Sequence, residues 1–198
     1  MTSYVYKIDI FLEKQIKNIN NPNILEFGVK EGRSTKIFLD ICKKKNGKLF
    51  SVDVDDYSNL FDDPNWNFIK SRDDNFELLK NKLPEKFDII YLDSLHEAKH
   101  IEKIFYYYYN FLKINGQFYI DDISWFPYLK NKDRDNFYCE INNKETFEKL
   151  LEIYDNNKNN FDIFFTFMSS GMCRIVKKKE DLAKAISIKT RESSPKNL

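Results

Sequence analysis

From residue 24 onward, short apolar runs alternate with helical patterns, and each of the first five runs ends at a carboxylate. The runs are 24–27, 49–52, 66–70, 87–92 and 118–120, and the acids are Glu26, Asp53, Asp73, Asp93 and the pair Asp121-Asp122. Helical periodicity falls between them, at 33–45, 74–81, 96–113 and 143–155. Such alternation predicts a parallel sheet covered by helices on both faces. Ligands of open parallel sheets sit at the carboxyl ends of the strands, near the point where strand order reverses. A lone acid at such a place is ordinarily a helix cap or a turn residue. Five in phase are not accounted for by packing and predict a site.

Two further apolar runs, 161–167 and 172–176, are separated by only Met168-Ser169-Ser170-Gly171. That is hairpin spacing, so the sheet should finish with an antiparallel pair. Ile8, Phe11, Leu12, Ile16 and Ile19 recur at helical spacing and predict a leading amphipathic helix that ends before Asn20-Asn21-Pro22. No internal repeat or long linker divides the chain. The expectation is a single Rossmann-like α/β domain over 1–178, with a leading helix within 1–20. Its sheet is mostly parallel and seven-stranded, with a C-terminal antiparallel hairpin and helices on both faces. A basic, flexible tail is expected over 179–198.

The first turn, Ile24-Leu25-Glu26-Phe27-Gly28-Val29-Lys30-Glu31-Gly32-Arg33-Ser34-Thr35, reads as strand, glycine loop and helix start. Gly28 and Gly32 let the backbone turn tightly and come close to a ligand, and Ser34 and Thr35 suit the helix start. A dinucleotide fingerprint would want glycine where Glu26 or Val29 stands, depending on register. A carboxylate there repels a pyrophosphate and suits a ligand with an ammonium group. The loop therefore points away from NAD and toward an amino-acid-bearing nucleoside.

With these motifs in register, the chain from about residue 24 to 178 resembles the class I S-adenosylmethionine-dependent methyltransferases. The resemblance implies that Glu26 and Gly28 border the methionine part of S-adenosylmethionine, that Asp53 bridges the ribose hydroxyls, and that Gly32 and Ser34 also belong to the cofactor site. It further implies that Asp73, with Asp74 as the neighbouring alternative, accepts from the adenine amino group. The stretch Phe87-Asp88-Ile89-Ile90-Tyr91-Leu92-Asp93-Ser94-Leu95-His96 is similar to a branch that includes macrocin-type sugar O-methyltransferases. Metal-using members of that branch bind Mg²⁺ at positions matching Asp93, Asp121 and Asp122, and Asp93 also borders the cofactor. Three hard oxygen ligands suit the partly hydrated state that Mg²⁺ prefers.

The chain also departs from the pattern. Ser94 replaces the usual glycine, Asn115-Gly116 replaces a glycine pair, and Leu95 stands where a second aspartate often serves as the base. His96 is then the candidate catalytic group beside Asp93, with a capping or core histidine as the bland alternative. Trp125 and Arg134 follow the fifth strand and are candidates for contact with the substrate. The expected reaction is methyl transfer to a small-molecule or sugar acceptor, at oxygen, with Mg²⁺ as a candidate assistant.

Two other readings stay open. One is a catalytically silent S-adenosylmethionine-binding module. The other is a short-chain dehydrogenase, because Tyr109 and Lys113 spell Y-x-x-x-K. Tyr106, Tyr107 and Tyr109 fall largely outside the apolar stripe of their helix and are candidates for a homo-oligomer interface. The net charge is +1, but the stretch 177–198 carries +4 and 1–176 carries −3. Such a body is a poor binder of phosphate backbones. Three scattered cysteines and two histidines give no zinc spacing and no disulfide framework. No apolar run approaches the ~20 residues that span a bilayer. A soluble cytoplasmic protein without membrane or nucleic-acid partners is expected.

Overall fold

The computed structural model describes residues 3–125 and 137–186. Strand β1 (Asn23–Phe27) sends Ile24 to one side of the sheet and Leu25 and Phe27 to the other. β4 (Phe87–Leu92) repeats the alternation, with Ile89 and Tyr91 opposed to Ile90 and Leu92. Both faces are therefore apolar and both are covered. On one side lie the leading helical residues and α3 (Arg33–Lys45), which contribute Leu12, Ile16, Phe38 and Cys42. On the other lie α4 (Phe76–Lys82), α5 (Ala98–Tyr108) and α6 (Phe137–Asp155).

The remaining strands are β2 (Lys48–Asp53), β3 (Trp66–Lys70), β5 (Leu112–Asp121), β6 (Phe161–Thr166) and β7 (Met172–Lys177). Their order is β3-β2-β1-β4-β5-β7-β6. The first five are parallel, and β7 lies antiparallel between β5 and β6. Order reverses between β1 and β4, which puts the crevice at the carboxyl ends of those two strands. The expected seven-stranded sheet and terminal hairpin are both present.

The leading helix runs through α1 (Ser3–Val5), a π-helical stretch (Tyr6–Glu13) and α2 (Lys14–Ile16). It buries Ile8, Leu12 and Ile16 at four-residue intervals, and Lys7 with them. Several boundaries differ from the sequence reading: α6 starts at Phe137 rather than at 143, and the passage from α5 to β5 falls earlier. The helix expected over 96–113 ends at Tyr108, passes through a 3₁₀ turn (Tyr109–Phe111) and enters β5 at Leu112. β5 thus starts earlier than expected. Its first residues include exposed Ile114 and Asn115 at φ 63°, and they carry no alternating pattern that would reveal a strand.

Of the tyrosines read as a subunit interface, Tyr109 is buried within this chain and Tyr106 and Tyr107 are partly buried against it. Tyr107 stacks on Phe76 with ring centroids 3.8 Å apart. Tyr109 is fully buried, and its hydroxyl donates toward the carbonyls of Asn160 and Lys179. The Tyr106 hydroxyl donates to the carbonyl of Ala183. Helical periodicity could not foresee this, because the cover comes from beyond β7. Between Lys179 and Ala185, Asn157 both accepts from and donates to the Ala183 backbone, and Leu182 and Ala185 pack on the core.

Candidate active site

Two cavities of about 560 and 510 Å³ open along the carboxyl edge and share Gly28, Lys30, Asp93 and Ser94. Their size suits small-molecule ligands. Gly28 sits at φ 92°, and a Cβ there would lie 2.0 Å from the Asp93 carbonyl oxygen. The β1 turn therefore packs directly on the end of β4, and only glycine fits. Gly32 has φ 72°, but the atoms against it belong to Leu60 and Phe61. Its role is to seat the β2–β3 connection, and it lines neither cavity.

Glu26 also departs from its expected place. It is fully buried, and its carboxylate accepts from the hydroxyls of Ser34 (2.6 Å), Thr35 (2.8 Å) and Ser51 (2.7 Å). Burial pushes its carboxyl up to about 7, although the three hydroxyl bonds pull the other way. Glu26 lines neither cavity, whereas Ser34 lies on the wall of the larger one.

In the smaller cavity, Asp53 accepts from the backbone N–H of Val29 (2.7 Å) and of Asp55 (3.0 Å). The Lys30 N–H adds a weaker contact to Oδ2 at 3.4 Å, and of the roughly four acceptor positions of a carboxylate about one is left free. Of the two acids the sequence left as alternatives, Asp73 lines this cavity and Asp74 does not. Asp74 is held far below the usual carboxylate range, chiefly by its hydrogen bond from Arg72 and then by Lys103. Both side-chain bonds to Asp73, from Ser94 Oγ (2.5 Å) and His100 Nε2 (2.8 Å), fall on Oδ2. Val54 and Leu95, both exposed, add apolar wall.

The larger cavity holds the reactive-looking groups. His96 Nε2 lies 3.3 Å from Asp93 and 3.7 Å from Asp122. Burial lowers the His96 imidazole, but the carboxylates of Asp93, Asp122 and Asp121 outweigh it and the net displacement is upward. Asp93 is pushed up to about 6, first by burial and further by Asp121 and Asp122, against the hydrogen bond from His96.

Asp121 belongs to a different set of contacts. Its Oδ1 pairs with Lys7 Nζ at 2.5 Å and accepts the Asp122 N–H, while Oδ2 accepts from the Tyr91 hydroxyl at 2.6 Å. The Mg²⁺ set expected from Asp93, Asp121 and Asp122 is therefore not assembled. The donors that do converge, within 4.8 Å of one another, are Asp93, Asp122 and His96. Mg²⁺ prefers all-oxygen surroundings, and an imidazole suits softer ions. These residues do not fit the Mg²⁺ site the resemblance implies.

Trp125 lines neither cavity. Its ring packs on Phe147 (4.8 Å) and Phe167 (5.7 Å), so at this position packing takes the aromatic that the sequence reading gave to substrate. Arg134 lies outside the described residues. The dehydrogenase pair is at the opposite edge of the sheet, where Tyr109 is buried and Lys113 pairs with Asp88 near the start of β4. Sequence reasoning missed Lys7, Ser94 as a donor, and His100. The one available signal was a lysine among the apolar positions of the leading helix.

The strand order, the glycine turn and the acidic carboxyl edge are those of the class I S-adenosylmethionine-dependent methyltransferase fold. Residues 25–123, half of the chain, match the family described as a methyltransferase domain, and the chain belongs to that family. No curated protein matches its sequence. Among solved structures, the MycE methyltransferase of the mycinamycin biosynthetic pathway, in complex with Mg and SAH, superposes with a TM-score of 0.67 at 16% identity. That match covers 92% of this chain and 52% of the other, so this chain spans about half the length of MycE. A protein titled a caffeoyl-CoA O-methyltransferase from Staphylococcus aureus gives 0.62 at 16% identity, over 84% and 81% of the two chains. One titled an rRNA-methylase from Clostridium thermocellum gives 0.63 at 14%, over 91% and 98%. At such identities the likeness concerns the fold. Among the described residues, no helix is long and apolar enough to cross a membrane.

Proposed function

We propose that this chain transfers the methyl group of S-adenosylmethionine to a hydroxyl of a small polar acceptor. The smaller cavity would take the adenosine, with Asp53 on the ribose diol, Asp73 Oδ1 on the adenine amino group, and Val54 and Leu95 along the base. The larger cavity would take the methionine end beside Ser34 and, further out, the acceptor. The observation that carries the reading is His96, fixed between Asp93 and Asp122 in a cavity that meets the other at Gly28 and Asp93.

His96, with Nε2 turned to the two carboxylates, would take the proton of the acceptor hydroxyl on its other ring nitrogen, Nδ1. The oxygen lone pair forms the O–CH₃ bond as the C–S bond breaks, and the sulfonium becomes the neutral thioether of S-adenosylhomocysteine. Asp93 and Asp122 orient the ring and stabilise the imidazolium, and the remaining work is alignment. Mg²⁺ assistance forms no part of this reading, since Asp121 is held by Lys7. The buried free thiols of Cys42 and Cys173 suit the reducing cytoplasm.

Calorimetric titration of S-adenosylhomocysteine into chelator-treated protein tests the assignment. Micromolar binding, about −8 kcal/mol, is expected. Asp53→Ala should weaken it about a hundredfold through loss of a charge-assisted contact. His96→Gln should retain binding yet lower turnover by about 10²–10⁴ on a hydroxylated acceptor. Binding without turnover on any such acceptor would leave the silent module, and heat with NAD alone would overturn the cofactor assignment.

A further inference from the structure

Lys7 is only 4% exposed, although lysine is almost never buried without a partner. Its ammonium donates to Asp121 Oδ1 at 2.5 Å and to Ser170 Oγ at 2.6 Å. Those contacts reach across 114 and 163 positions of sequence and tie the leading helix to the end of β5 and to the β6–β7 turn. Lys7 also lines the larger cavity together with His96 and Asp122. Removing a charge from water is costly unless the charge is paired and its partner's remaining valences are met. Here they are met: Asp121 takes the Tyr91 hydroxyl and the Asp122 N–H as well.

The carboxyl edge brings Asp93, Asp121 and Asp122 into one partly dehydrated space, where like charges repel. A cation among them offsets that repulsion, and in a metal-assisted site the metal is that cation. We propose that Lys7 fills this place: its ammonium is the resident cation of the edge, withdraws Asp121 from any divalent-ion set, and makes the acceptor cavity independent of divalent metal. The leading helix is then a wall of the site as well as a cover for the sheet. The part concerning the acceptor rests on the methyltransferase reading above; the part concerning the cation does not.

Uptake of Mn²⁺ by chelator-stripped full-length protein, followed by the electron paramagnetic resonance signal of the free ion, tests the proposal. The wild type should take up no ion below about 1 mM. Lys7→Met frees Asp121 beside Asp93 and Asp122 and should bind Mn²⁺ at least about tenfold more tightly than wild type. Lys7→Arg should behave as wild type. Micromolar uptake by the wild type overturns the proposal, as does a folded Lys7→Met protein with no gain. Should Lys7→Met fail to fold, Asp121→Asn decides together with the wild type. Equal, negligible uptake by both supports the proposal, and an ion bound by wild type and lost in Asp121→Asn sinks it. S-adenosylhomocysteine titrated into the same samples separates the two readings, since its failure to bind removes the methyltransferase assignment and leaves the Mn²⁺ result standing.

Discussion

A carboxylic acid with no exposure must be neutral or fully bonded, and Glu26 lies between these limits. Three hydroxyls donate to it, yet burial still raises it from 4.5 to about 7. The folded state thus holds this proton more tightly than the unfolded chain does. Its contribution to stability is complete below about pH 4.5 and is lost as pH rises toward 7. The displacement is worth about 3 kcal/mol, or roughly 6–12 °C for a domain of this size. Glu26→Gln removes the titration but keeps an oxygen for the hydroxyls. Its melting temperature relative to wild type should therefore climb between pH 5 and pH 8; a difference that stays flat with pH would show that Glu26 is ionised throughout. The positions of Asp53, Asp73 and Asp93 were legible in the sequence because strand period fixes where a strand ends. The partners of Glu26, the pairing of Asp121 with Lys7 and the bond from His100 to Asp73 were not. Each depends on which distant element docks beside which, and single-residue chemistry carries no record of that.

At the scale of elements, the end of α5 shows how tertiary contacts override periodicity. The apolar pattern continues past Tyr108, but the chain tightens at Tyr109–Phe111 and turns into β5. Lys177, fully buried on β7, donates to the carbonyls of Tyr109 and Leu112 and so satisfies the acceptors this change of direction leaves exposed. Tyr109 completes the joint by reaching the carbonyls of Asn160 and Lys179. Tyr109→Phe removes the donor to the Lys179 carbonyl and one of three donors to the Asn160 carbonyl, which should cost about 0.5–1.5 kcal/mol. Affinity for S-adenosylhomocysteine should not change, because the joint is at the edge of the sheet away from both cavities. Denaturant unfolding and calorimetry on the same sample check both halves. Unchanged stability would show that water already serves those carbonyls, and a loss of NAD-dependent turnover would revive the dehydrogenase reading.

For the molecule as a whole, charge follows the architecture. Five strands bring carboxylates to a single edge, and residues 1–176 sum to −3, while the balancing +4 is carried by residues 177–198. An acceptor that enters at this edge meets a field that favours neutral or cationic molecules. A polyanion meets net repulsion at this edge, although Lys7, Lys30 and Arg33 stand among the acids of the larger cavity. The basic stretch can still attract nucleic acid weakly. Six cationic side chains remain once buried Lys177 is set aside, and, interrupted by Glu180, Asp181 and Glu192, they should release counterions corresponding to only a few phosphates. Fluorescence anisotropy with a labelled single-stranded RNA should then show weak binding at low salt. The slope of log K against log salt should be shallow, about −1 to −3, and binding should vanish near physiological ionic strength. S-adenosylhomocysteine should leave that curve unmoved, because the cavities and the basic stretch act independently. Tight binding that survives physiological salt and sharpens with S-adenosylhomocysteine would place the RNA at the carboxyl edge and replace the small acceptor with a nucleic acid.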